Sequence, residues 1–355
     1  MRITFVLPMF LDSPAGGFKV VYEYANRLCR RGHAITIVHP RNLERRAGLV
    51  ESIKSRLWAY KLRWKHQPLV PWFPLDPRIE IRLTPDLRER FIPKGEAIVA
   101  TAFQTAFYIH SYAPGKGRKY YLIQSYEKWM GEEERVRKSW RLPLRKIVVS
   151  RWLMRLAREM GEEERSIYLP LGLDCAQFRI TRPIRERRSP RVGMLAHPLE
   201  IKGTSDGLRA IAIVKEKLPQ LEAVFFGTQP RDASLPPWIE YVYRPTPGKL
   251  VDLYNSCQVF LHPSRLEGWG LPAAEAMACG CALAAAHNEG VEEFAVAGEN
   301  ALLAPIKAPE KLAEQLWRLL IDEKLRIRLA ETGHRQIQRF DWDRAVERME
   351  SILHG

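Results

Sequence analysis

Glu267 and Glu275 bracket a turn that reads Gly268-Trp269-Gly270-Leu271-Pro272, and the apolar run Val259 to His262 leads into it through Pro263. A strand ending at a proline, a glycine turn and a helix opening on a proline leave backbone N–H groups without partners inside the helix. Gly280 falls where a helix stop is expected. Unpaired amides and the positive end of a helix dipole form an anion site suited to a diphosphate. Glu267 stands on the strand side of that site. Glu275 is expected in the first helical turn, where its bland role is to favour the dipole. A second turn of this kind lies upstream, where Lys202-Gly203 follows the strand-like run 192–196 and opens a helix over 204–217. An ammonium at a loop-to-helix junction pairs with a phosphate.

The fourteen-residue string EGWGLPAAEAMACG, residues 267–280, resembles the E-x7-E signature of the retaining glycosyltransferases of family 4, which have the two-domain GT-B fold. The run VGMLAHPLEIKG resembles the segment in which that family clamps a diphosphate with an arginine and the lysine of KG; here the residues are His197 and Lys202. A histidine is only partly charged near neutral pH, so one contact is weaker than in the family. The resemblance implies that Glu275 grips the two ribose hydroxyls, that Glu267 orients the donor sugar, and that the amides of Gly268, Trp269, Gly270 and Leu271 hold the phosphate. Trp269 replaces the commoner phenylalanine and is expected to pack. Gly16 and Gly17 close the first loop, which in the family faces the diphosphate and acceptor. Gln124 stands where many relatives place a histidine. It cannot act as acid or base, but it can hydrogen-bond a sugar hydroxyl. Tyr243 and Arg244 end a strand near the expected base pocket. In the family the leaving phosphate is thought to take the acceptor proton, with no resident cofactor or metal. Asp341-Trp342-Asp343 spells DXD, a metal motif of another glycosyltransferase fold, and is read here as the start of a tail helix.

The elements needed to hold these residues alternate along the chain. Strand-like runs at 3–7, 34–38, 79–83, 97–100, 120–123, 146–149 and 166–169 are joined by helical spacing over 18–31 and by a helix over 151–160 capped by Ser150. Strand–helix–strand units build parallel sheets. Residues 179–190, RITRPIRERRSP, lack an apolar period and read as a linker. A second alternating series begins at Arg191. The expected architecture is α/β: two doubly wound Rossmann-like domains with parallel sheets facing across a cleft. Residues 1–178 form the acceptor side and 191–341 the donor side, with the tail 342–355 packing back on the first. Pro170 to Asp174, with Phe178, reads as the hinge.

The 355 residues carry a net charge of +15, placed unevenly. Residues 1–190 hold 37 Lys and Arg against 19 Asp and Glu, whereas 191–355 hold 19 against 22. The basic first half implies an anionic partner, and a lipid-diphosphate-linked saccharide is the favoured acceptor. Over 50–65, Val50, Ile53, Leu57, Tyr60 and Trp64 share one helical stripe among Lys54, Arg56, Lys61, Arg63 and Lys65. That pattern fits a helix on an anionic membrane surface, or equally an inserted helix packed on its own domain. No apolar run approaches the ~18 residues of a membrane span, and MRITFVLPMF reads as a strand. The expected location is cytoplasmic, with peripheral contact at the inner face of the membrane. The five cysteines make no CxxC, which fits buried thiols in a reducing compartment. Neither GxGxxG nor GxxxxGK[ST] occurs, so the sequence excludes the nicotinamide and Walker A fingerprints.

The expected activity is a retaining, metal-independent hexosyl transfer from a nucleotide-diphosphate sugar to a saccharide or lipid-linked saccharide, in surface polysaccharide or glycolipid synthesis. The rivals are a nucleotide-sugar isomerase or hydrolase of the same fold, a silent nucleotide-sugar binder, and a nucleic-acid binder. No nucleic-acid reading motif is visible, so that partner is not expected.

Overall fold

The computed structural model describes residues 1–43, 49–65, 68–130 and 132–355. The chain forms two compact units, Met1–Leu171 with Asp343–Gly355, and Gly172–Trp342.

In the first unit the order is β1 (Arg2–Val6), α1 (Gly16–Arg30), β2 (Ala34–Pro40), α2 (Leu49–Lys65), β3 (Glu80–Thr84), β4 (Ala97–Ala100), α3 (Phe103–Ile109), β5 (Arg118–Ile123), α4 (Glu133–Trp140), β6 (Arg145–Val148), α5 (Arg151–Glu159) and β7 (Ser166–Tyr168). The second unit contributes β8 (Arg191–Leu195), α6 (Thr204–Lys217), β9 (Glu222–Gly227), β10 (Ile239–Tyr243), α7 (Pro247–Ser256), β11 (Val259–His262), α8 (Leu271–Ala278), β12 (Ala282–Ala286), β13 (Ala301–Ala304), α9 (Pro309–Ile321) and α10 (Glu323–Ile337). Helix α11 (Trp342–His354) returns the chain to the first unit.

Each unit holds one parallel sheet, ordered β3-β2-β1-β4-β5-β6-β7 and β10-β9-β8-β11-β12-β13. Strands such as Val259-Phe260-Leu261 are apolar at successive positions because helices cover both faces of a parallel sheet. In the second unit, Val192, Met194, Phe225, Val259, Leu261, Ala282 and Ala284 pack against Ile211 and Val214 of α6, Leu312, Leu316 and Leu319 of α9, and Leu329 of α10. Burying each such leucine contributes roughly 1.5–3 kcal/mol. In both sheets the strand order reverses beside the first strand, between β1 and β4 and between β8 and β11. Open α/β sheets leave a crevice at the carboxyl ends of the strands flanking such a reversal.

The segment 179–190, read from its composition as a linker, lies within the second unit. Arg187 is 3% exposed. Its guanidinium donates to the carbonyls of Cys257 (3.0 Å) and Cys279 (2.6 Å) and to Asn255 Oδ1 (3.1 Å). Charge marked the stretch as exposed, but here the charge is bound by backbone carbonyls. Ser150 has the extended backbone of a helix cap, yet its hydroxyl is buried without a partner and makes no cap bond.

Tail helix α11 is tied to its unit by side chains. Arg118 donates to the carbonyls of Leu353 (2.5 Å) and His354 (2.6 Å), and the Tyr120 hydroxyl donates to that of Ile352 (3.0 Å). Glu350 accepts from Arg31 Nε (2.8 Å) and bonds His33 (2.6 Å). Among the described residues, no helix is long and apolar enough to cross a membrane.

Candidate functional site

In the second unit the loops after β8 and β11 meet at the sheet's reversal point. Gly203 has φ +64, and a Cβ there would lie 2.1 Å from the Pro263 carbonyl oxygen. Only glycine permits that approach, which explains the glycine after Lys202. The loops are stapled together: Arg265 N donates to Ile201 O (2.7 Å), and the Arg265 guanidinium grips Asp206 (2.8 and 3.0 Å) and also Glu200. The loop after β12 backs this pair. Asn288 donates to Ser264 O (2.8 Å) and accepts from the amides of Gly290 and Val291, and Gly290 abuts Glu267 so closely that a Cβ would lie 2.6 Å from the Glu267 Cβ.

This scaffold brings together two residues singled out separately in the sequence. Lys202 Nζ lies 2.9 Å from both carboxylate oxygens of Glu267, although 65 positions separate them. The Glu267 side chain is 10% exposed and that of Lys202 22%. Burial pushes the Glu267 carboxyl up, but the Lys202 charge, joined by His262 and by hydrogen bonds from Lys202 and Ser264, holds the group below its ordinary value. His262, at the end of β11, lies 3.7 Å from Glu267 Oε1 through Nε2, which is buried and makes no hydrogen bond. Burial lowers its pKa to about 4, so the ring is neutral at pH 7. His197 is lowered too, first by burial and then by the Lys202 charge. Its Nδ1 accepts from Leu199 N (3.1 Å), which leaves the Nε2–H as a donor. His197 therefore offers a neutral hydrogen bond rather than a charge.

The turn between the glutamates differs from expectation in one respect. Gly270 has φ +108 and α8 begins at Leu271, so Glu275 is the fifth helical residue and lies in the second turn. The dipole role expected for a first-turn acid is weakened there. Glu275 is buried, 4% exposed, and its Oε2 accepts from the Tyr254 hydroxyl (3.2 Å). Ala273 and Ala274 already donate to Gly270 O, and Pro272 has no N–H. The remaining amides of this turn are those of Gly268, Trp269, Gly270 and Leu271. The Trp269 ring is buried against Phe294 (5.0 Å) and Phe340 (5.3 Å), so that side chain packs. Tyr243 and Arg244 end β10, two strands along the sheet from β8, apart from the Lys202–Glu267 pair. Arg244 adopts φ +46 and donates to Thr228 O (3.3 Å), and Tyr243 is half exposed.

In the first unit, Gly16 and Gly17 are the first residues of α1. Gln124 follows β5, and its Nε2 donates to Gly17 O (3.1 Å) while its Oε1 is buried without a partner. The free Oε1 is an acceptor for a hydroxyl. Sequence reasoning passed over His262, Asn288, Gly290 and Arg265. The signals were His-Pro at a strand end, Asn-x-Gly after β12, and an arginine inside the glutamate-bearing loop.

Residues 182–336 match the family model described as Glycosyl transferases group 1. A D-inositol 3-phosphate glycosyltransferase of Corynebacterium jeikeium is 25% identical over 46% of this chain and 43% of its own. An N,N'-diacetylbacillosaminyl-diphospho-undecaprenol alpha-1,3-N-acetylgalactosaminyltransferase of Campylobacter jejuni is 29% identical over 43% of this chain and 42% of its own. The chain thus spans less than half the length of these curated relatives. The solved structure of Anabaena HepE in complex with UDP-glucose superposes with a TM-score of 0.75 over 100% of this chain and 99% of its own, at 16% identity. That likeness establishes the fold, two Rossmann-like units of the GT-B kind. The match to the glycosyl transferases group 1 model falls within the second unit of this chain.

Proposed function

We propose that the chain is a retaining, metal-independent glycosyltransferase of family 4, which moves a sugar from a nucleotide-diphosphate sugar to a hydroxyl of a saccharide or lipid-diphosphate-linked saccharide in surface polysaccharide or glycolipid synthesis. The observation that carries this reading is the Lys202–Glu267 pair at the reversal of the second sheet, with neutral His197 and His262 around it and the Trp269–Leu271 amides on the adjoining turn. A partly buried ammonium and a row of amides can neutralise charge on a leaving diphosphate, which is the main electrostatic task of such a transfer. In this reading Lys202 and His197 hold the diphosphate, Glu275 the ribose, Glu267 the sugar, and Gly17 with Gln124 the acceptor side. Tyr243 and Arg244 are assigned to the base. The leaving phosphate itself takes the acceptor proton.

An anionic acceptor agrees with the basic first half and with the names of both curated relatives, each of which contains a phosphorylated compound. Membrane contact has its own support in α2. Ile53, Leu57, Tyr60 and Trp64 are 53%, 56%, 71% and 80% exposed along one stripe, whereas Ser55 on another face is buried and Trp58 meets Phe10 at 6.4 Å. The side chains of Val50 and Arg56 lie outside the described residues. An exposed apolar stripe among lysines suits the headgroup region of an anionic bilayer, at the cytoplasmic face in this reading.

A panel of nucleotide-diphosphate sugars tests the assignment by thermal stabilisation followed by transfer onto membrane extract. The donor that stabilises should also be transferred. Glu267→Ala should lower transfer by at least ~100-fold with its melting curve still cooperative. Ordinary transfer by that variant would show the site to be misassigned. Paired Tyr60→Ser and Trp64→Ser changes should weaken binding to phosphatidylglycerol vesicles without altering donor binding.

A further inference from the structure

Besides the Ser264 hydroxyl, Glu267 has two nitrogen neighbours of different kinds, and only one of the two is engaged. Lys202 Nζ bonds both carboxylate oxygens at 2.9 Å, while His262 Nε2 lies 3.7 Å from Oε1, buried and unbonded. A buried polar nitrogen without a partner is costly, so its retention here calls for a function. The side chain cannot turn to water, since it is 2% exposed at the end of β11 with its ring stacked 6.5 Å from Phe260. Lys202 is freer: its side chain is 22% exposed and ends a short turn.

On the functional reading above, a diphosphate arriving at Lys202 competes with Glu267 for the ammonium. A buried carboxylate that loses its cation either takes up a proton or finds another donor. We propose that His262 is a positioning residue which takes over the Glu267 carboxylate when the donor diphosphate draws Lys202 away. The neutral ring supplies its Nε2–H to Oε1, closing the 3.7 Å gap, so that Glu267 stays ionised and aimed at the sugar through the reaction. The titratable groups acting on Glu267 are Lys202 and His262. Those acting on His262 are Glu267 and Lys202, and His197 is influenced by both members of the ion pair.

Two variants separate this role from a structural one. His262→Gln keeps a side-chain N–H donor, and His262→Phe keeps the bulk and removes the donor. The measurement is calorimetric titration of each protein with UDP, GDP and ADP in buffers of different ionisation enthalpy, which gives the number of protons taken up on binding. The wild-type protein and His262→Gln should agree. His262→Phe should take up a substantial fraction of one additional proton near pH 6.5, because Glu267 is left with the Ser264 hydroxyl and no nitrogen donor. Its transfer kcat should fall about 10-fold or more, with the acid limb of the pH profile moved upward and the donor KM changed far less. Equal proton uptake by His262→Phe and wild type would overturn the proposal, as would an unmoved acid limb. Failure of the wild-type protein to bind any nucleoside diphosphate would instead defeat the functional reading on which the proposal rests.

Discussion

In the second unit the loops at the sheet's reversal hold Glu267 against an ammonium; in the first unit the corresponding end of the sheet holds Glu127 against the backbone N–H of Phe103, 2.9 Å away. Both carboxyls are pushed up by burial. Lys202 reverses that push at Glu267, whereas the amide opposes it only in part at Glu127, whose pKa rises to about 7. The loops differ in the same sense. Two residues separate β4 from α3, and Gln124 bonds Gly17 with uncharged groups, while eight residues separate β11 from α8 and carry the Arg265 ion cluster. Strands that reverse at the same place thus lead to an ion pair in the second unit and to a carboxyl held by a backbone amide in the first.

The largest expected effect concerns the glycines at the start of the first helix in each unit, Gly203 before α6 and Gly16 in α1. Gly203→Ala forces a side chain onto the Pro263 carbonyl at φ +64 and should destabilise the second unit by about 3 kcal/mol or more. Gly16→Ala in the first unit meets nothing within 4 Å and should stay within about 0.5 kcal/mol. Urea unfolding of the two variants decides the matter, and equal losses would remove the contrast in loop packing.

Lys202→Met should cost on the order of 2 kcal/mol at pH 7, since it removes the cation bonded to both oxygens of a buried carboxylate. The Glu267 pKa is depressed in the folded protein, so its contribution is present above the unfolded carboxylate pKa and is lost as pH falls through the folded value. The deficit of the variant should therefore shrink toward pH 3. A deficit independent of pH would mean that the pair is not the source of the difference.

Glu127→Gln should act in the opposite direction. A carboxyl raised to about 7 binds its proton more tightly folded than unfolded, so stability falls as pH rises from the ordinary carboxylate range through 7. The amide removes that dependence and should stabilise the chain by about 1–2 kcal/mol above pH 8, with little change near pH 4. Thermal melts across that range supply the slope, and parallel curves for variant and wild type would contradict the assignment.

Much of this contrast was open to sequence reading, one residue at a time. The α6 helix and the strand Val259–His262 fall where the sequence reading puts them, and Gly280 takes the left-handed conformation expected past a helix end. Strand β13 was missed because Ala301-Leu-Leu-Ala304 has no β-branched or aromatic residue to mark it as a strand. Helices α9 and α10 were also missed, although Leu312, Leu316 and Leu319 carry helical spacing that could have revealed the first of them. Helix α3, Phe103-Gln-Thr-Ala-Phe-Tyr-Ile, is rich in residues of low helix propensity and is set by its contacts, with the Thr105 hydroxyl accepting from the amides of Thr101 and Ala102. Lys202 and Glu267 were legible as separate candidates, but their pairing depends on β8 and β11 becoming neighbours. The unbonded nitrogen of His262 is a property of packing, which no local pattern encodes.

The most direct test is a crystal structure of the chain with a bound nucleotide-diphosphate sugar. The diphosphate should lie within hydrogen-bond reach of Lys202 and the amides of Trp269, Gly270 and Leu271, with the Lys202–Glu267 bond lengthened. A donor lodged elsewhere, with Lys202 still bonded to both oxygens of Glu267, would contradict the account.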